Sequence, residues 1–78
     1  MLTLQGLRMK TDYMMEQIRR DAIDYTLDQF RAADRHYYET SRGGDLCTRL
    51  YRELEELGAD MEMVLDIDLA IRDEVFGL

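Results

Sequence analysis

Residues 60–71 read Asp60-Met61-Glu62-Met63-Val64-Leu65-Asp66-Ile67-Asp68-Leu69-Ala70-Ile71, and the fold class turns on whether this stretch is helix or strand. Met61, Met63, Leu65, Ile67, Leu69 and Ile71 are apolar at alternate positions, with Glu62, Asp66 and Asp68 between them. That is the period of a half-buried strand. Val64, Ile67, Ile71, Val75 and Leu78 also form a helical stripe, however, and Asp60 stands where a helix N-cap belongs. Two aspartates disfavour a short strand. We therefore read the segment as a helix and the fold as all-α. The alternative is an α+β fold in which residues 61–71 are a strand paired with an extended arm at Leu2-Thr3-Leu4.

Upstream, glycine sets the boundaries, because the chain has no proline. Gly58 closes a second helix whose apolar positions, Leu46, Cys47, Leu50, Tyr51, Leu54 and Leu57, recur at helical spacing, and Asp45 is its expected N-cap. Gly43-Gly44 separates it from a first helix over about Thr11 to Thr40. There Gln17, Asp21, Asp24, Asp28, Arg31, Arg35 and Glu39 form a polar stripe opposite a broad arc containing Met14, Met15, Ile18, Ala22, Ile23, Tyr25, Leu27, Phe30, Ala33 and Tyr37. Leu4 and Leu7 continue the arc, so this helix can begin near Thr3. The expected architecture is one small three-helix domain over residues 1–78, a long first helix packed by two shorter ones.

At 78 residues the chain allows one domain, and a domain of this size buries only about 60% of its unfolded surface. A homodimer partner or a bound target would add to that burial. No apolar run is long enough to span a bilayer and the amino terminus lacks a signal-peptide pattern, so the expected location is cytoplasmic. Cys47 and His36 are the only residues of their kinds, which leaves no internal disulfide and no Cys/His zinc site.

Charge is the most informative feature. Seven acids balance seven bases in residues 1–42, and the whole net charge of −7 comes from residues 43–78. From Glu53 to Asp68 there are seven carboxylates, Glu53, Glu55, Glu56, Asp60, Glu62, Asp66 and Asp68, and no base. Such an edge is a docking surface for a basic partner, and it can imitate the phosphate array of a nucleic acid. An ordinary solvated face has the same composition. Nine of the ten bases are arginine, which forks to carboxylates and stacks on aromatics. Arg19 projects towards the apolar arc and Asp68 is an acid on an apolar face, so a pair between them is one expectation, and a pair of Asp68 with Arg72 is the plainer one.

Arg31, Arg35, His36, Tyr37, Tyr38 and Arg42 gather cations and aromatics at the end of the first helix, a composition suited to a protein hot spot or to phosphate contact and base stacking. The net negative charge and the neighbouring Asp34 and Glu39 disfavour direct nucleic-acid binding. No catalytic constellation is present. His36 has no nucleophile at a family-like spacing, Cys47 lies on the apolar stripe, and Asp66-Ile67-Asp68 lacks the glycine and closing glutamate of a calcium loop. Ser41-Arg42-Gly43-Gly44 reads as a turn between helices. No cofactor or metal is expected.

The sequence thus leads to a small acidic, non-enzymatic protein-binding module, an inhibitor that docks on the basic surface of a nucleic-acid-handling protein. In size and charge alone it is similar to small acidic proteins of phages and mobile elements, anti-CRISPR proteins among them, and no motif carries that analogy. The rival expectation is an assembly subunit or homodimer built on the apolar arc. A direct nucleic-acid binder is the third.

Overall fold

The computed structural model describes residues 4–77, with side chains from Tyr13 onward. Three helices follow in order: α1 over Leu4–Thr40, α2 over Gly44–Leu57 and α3 over Met61–Phe76. Among the described residues there is no strand. Leu4 already belongs to α1, and Leu2 and Thr3, the rest of the extended arm considered above, lie outside the described residues.

The ambiguous segment is a helix for local and tertiary reasons. The Asp60 side chain accepts the amides of Glu62 (3.1 Å) and Met63 (3.4 Å), so the first turn is capped. Val64 is fully buried and Ile71 is 7% exposed, whereas Met63, Leu65 and Leu69, which alternation would place beside Ile67 and Ile71, are more than 40% exposed. The apolar residues therefore divide by the 3.6 period and not by the period of two.

Gly43 and Gly58, both at positive φ, bracket α2. Asp45 is not its cap as expected: Gly43 occupies that position at φ +85°, and its carbonyl accepts Leu46 N and Cys47 N. Asp45 lies in the first turn, where a carboxylate still complements the helix dipole. At the other end the Gly58 amide donates to Glu55 and Leu54 carbonyls at φ +82°, the backbone conformation that glycine adopts most readily.

The core is formed by Leu27, Phe30 and Ala33 of α1, Leu50 and Leu54 of α2 and Val64 of α3, with Ile23, Cys47, Tyr51 and Ile67 against it. Both shorter helices pack on α1 and touch each other little. At about 1.5 Å per residue α1 is about 55 Å long against about 21 and 24 Å for its partners, so its amino-terminal half projects beyond them. The molecule measures 61 × 22 × 14 Å with a radius of gyration of 16.9 Å, where a compact domain of this length has about 11.5 Å. Its accessible surface of 6267 Å² likewise exceeds the roughly 5,000 Å² of a compact chain of this mass.

That shape changes the reading of the apolar arc. Among the described side chains of the arc, Ala22, Ile23, Leu27, Phe30 and Ala33 are buried or half-buried, whereas Tyr13, Met14, Met15, Ile18 and Tyr25 are 62–72% exposed. At 100° per residue Met14, Ile18 and Tyr25 lie within about 40° of one another, on the side of α1 opposite Leu27 and Asp34.

Candidate functional site

Six of the seven acidic-edge residues, Glu53, Glu55, Glu56, Asp60, Glu62 and Asp66, are exposed along α2, the Gly58 turn and α3. The ion pairs found among the described residues use other acids: Glu16 with Arg19 and Arg20, Asp28 with Arg31, Glu74 with Arg35, and Asp73 with Arg72. Among the described residues only Asp60 of these six side chains makes a hydrogen bond, its carboxylate capping α3. The result is a negatively charged end of the domain whose six carboxylates make no ion pair among the described residues.

Asp68 is set apart from them. It is half-buried, and its Oδ1 accepts the Tyr38 hydroxyl at 2.7 Å. Neither expected partner takes it: Arg72 engages Asp73 at 3.6 Å, and Arg19 is at the far end of the bundle. There Arg19 holds Glu16 at 2.6 Å and donates from Nη1 to the carbonyls of Leu57 (3.2 Å) and Gly58 (3.4 Å). A guanidinium thus closes the carboxy-terminal end of α2, where orphan carbonyls and the helix dipole favour a cation. The Arg19 hydrogen bond holds the Glu16 carboxyl below its ordinary range.

The residue that sequence reading passed over is Asp34. It is 4% exposed, its Oδ2 has no hydrogen-bond partner, and it lies beside Asp68. Burial first, then hydrogen bonding to Asp68 and the negative charge there, raise its carboxyl from 3.8 to about 7. A proton shared by the two carboxyl groups relieves their repulsion, since two adjacent carboxylates do not ionise together readily. Burial, with the hydrogen bond to Asp68 next, pushes the Tyr38 phenol up to about 12, so Tyr38 stays a donor. The Cys47 thiol is pushed up by burial and then by the charges of Asp34 and Asp68.

Asp34 and Asp68 line a cleft of about 220 Å³ with Phe30, Cys47, Thr48, Tyr51 and Leu65, open to the surface between α2 and α3 and floored by α1. Among the described residues no group of three or more His, Cys, Asp or Glu side chains is arranged to hold a metal ion.

No protein-family model, no curated protein and no solved structure matches this chain. The reading of its surfaces rests on their chemistry.

The arginine–tyrosine group at the end of α1 is only partly free. Arg31 and Arg35 are held by Asp28 (3.5 Å) and Glu74 (2.8 Å), and Tyr38 is turned inward. Tyr38 packs edge-on against Tyr37 and Phe76 at centroid distances of 5.5 and 5.8 Å. Tyr37 is 40% exposed, with its ring against Gly44, and Arg42 is exposed beyond the helix end. None of the described helices is long and apolar enough to cross a membrane.

Proposed function

We propose that this protein is a non-enzymatic binding module whose acidic end, Glu53, Glu55, Glu56, Asp60, Glu62 and Asp66, docks on the basic surface of a partner protein. The observation that carries the reading is their common exposure without an ion pair among the described residues over a stretch that holds no base, while Glu16, Asp28, Asp73 and Glu74 elsewhere in the domain are each paired with arginine. A run of carboxylates without a base steers a cationic partner and fits a groove built to hold phosphates. The partner class is therefore a nucleic-acid-handling protein, and the effect of docking is inhibition by occupation of that groove.

The test is reversal of Glu53, Glu55, Glu56 and Glu62 to lysine, with Asp60 left in place because it caps α3. Helical circular dichroism is expected to stay unchanged and capture of the partner to be lost. Undiminished capture would refute the reading.

A second reading has its own observation. Tyr13, Met14, Met15, Ile18 and Tyr25 stand exposed on α1, and Met14, Ile18 and Tyr25 form a stripe facing away from the core. Met14, Ile18 and Tyr25 together present on the order of 400 Å², about half of the ~800 Å² per partner of a stable interface. A homodimer or assembly contact through this stripe would resist salt, because apolar burial is not screened. Sedimentation at low and high salt measures it, with Ile18→Glu expected to give a monomer.

A further inference from the structure

We infer that the cleft between α2 and α3 receives a single arginine side chain of the basic partner, with Asp34 and Asp68 as counter-ions for the guanidinium and Phe30, Tyr51 and Leu65 along its stem. The inference rests on the docking reading above and adds to it a defined socket beside the acidic end, further along α2 and α3 from the Gly58 turn.

Four features of the cleft lead there. Asp34 is 96% buried by its 4% exposure and has an oxygen without a hydrogen-bond partner, so a donor is missing at the base of the cleft. The second carboxylate, Asp68, is held in place by the Tyr38 hydroxyl at 2.7 Å and keeps one oxygen beyond that bond. The lining includes two aromatic rings and a leucine, and its volume of about 220 Å³ exceeds the ~150 Å³ that admits a benzene-sized molecule. Finally, Glu55 follows Tyr51 by one turn and Glu62 precedes Leu65 by three residues, which puts two further acids on the helix sides bordering the cleft.

These features select arginine among cations. A bare metal ion would meet the two carboxylates, but among the described residues no three His, Cys, Asp or Glu side chains, Cys47 of the same lining included, are arranged to hold one. A planar guanidinium forks to two carboxylates and stacks on aromatic rings, while its aliphatic stem is compatible with Leu65.

Occupation is coupled to protons. The groups facing Asp34 are Tyr38 on its own helix, Cys47 on α2, and Asp68 with Arg72 a turn beyond it on α3. When Asp34 is protonated the socket holds one negative charge, and the entering guanidinium displaces that proton. Binding therefore strengthens as pH rises through about 7.

The test uses acetyl-arginine methylamide as the probe and acetyl-citrulline methylamide, its uncharged isostere, as the control, each followed on the full chain by amide chemical shifts. The arginine probe is expected to give saturable shifts at Asp34, Thr48, Tyr51, Leu65 and Asp68, at least about tenfold tighter than citrulline and tighter near pH 8 than near pH 5. Asp34→Asn and Asp68→Asn are each expected to weaken it by about tenfold or more. Equal binding of the two probes, shifts confined to Glu53–Glu56, or undiminished binding in both variants would overturn the socket. The two readings fail separately. Loss of partner capture on lysine reversal with full capture by Asp34→Asn and Asp68→Asn overturns the socket alone, whereas a socket that binds the probe in a chain whose capture ignores lysine reversal overturns the docking reading.

Discussion

Asp34→Asn is the substitution whose effect should depend most strongly on pH. Burial and the neighbouring Asp68 raise the Asp34 carboxyl from 3.8 to about 7. Between about pH 4 and pH 7 the folded chain therefore retains a proton that the unfolded chain has released, and stability falls as pH rises through that window. At about 1.4 kcal/mol per pH unit, the interval from 3.8 to about 7 corresponds to about 4 kcal/mol. That is a large share of the 5–15 kcal/mol that holds a typical domain folded. Asparagine has nearly the same size, its amide donates to Asp68 at every pH, and it does not titrate. The variant is expected to match the natural protein within about 1 kcal/mol near pH 4 and to exceed it by about 3–4 kcal/mol near pH 8. Urea unfolding followed by circular dichroism across this range measures both curves. Parallel curves for the two proteins, or a natural protein whose stability rises between pH 5 and 8, would refute the buried-pair reasoning.

The other predictions concern the frame that presents the acidic end. Asp60→Ala removes the acceptor for the Glu62 and Met63 amides and should lower stability by about 0.5–2 kcal/mol in urea unfolding, with Asp60→Ser retaining most of it. Arg19→Ala uncovers the Leu57 and Gly58 carbonyls and should cost about 0.5–1.5 kcal/mol, measured as faster amide exchange around Gly58 than at the α3 cap. Leu54 is fully buried at the meeting of the helices, so Leu54→Ala is expected to cost about 2–5 kcal/mol by thermal or urea unfolding.

Much of the fold was legible because local signals agreed. Gly43 and Gly58 fall at the helix boundaries as expected, with Gly44 opening α2, Asp60 caps α3, and the apolar residues of α2 face α1. The cap of α2 was misplaced because Gly43 supplies a positive φ and a carbonyl where a side-chain cap was expected of Asp45. The apolar arc of α1 was correctly seen as broad, but periodicity does not tell how much of a helix its partners are long enough to cover. Arg19 was recognised as facing the arc, yet its acceptors are backbone carbonyls at a helix end, which residue types do not reveal.

Asp34 was missed for a related reason. It was counted with the charges around the α1 terminus, although Leu27, Phe30 and Asp34 share one seam, as do Val64, Asp68 and Ile71. An acid on each of two apolar seams was the available signal. That the two meet, and that Tyr38 rather than Arg72 serves Asp68, depends on the register between α1 and α3, which no local pattern encodes.

Recognition of a basic protein by the unpaired carboxylates of α2 and α3 is tested by identifying, by mass spectrometry, what the tagged protein retains from nuclease-treated native lysate at low and moderate salt, compared with the chain reversed to lysine at Glu53, Glu55, Glu56 and Glu62. The expected result is a basic nucleic-acid-handling protein that the natural chain retains at low salt, that moderate salt releases, and that the reversed chain does not bind. Retention of the same proteins by both chains, independent of salt, would contradict it.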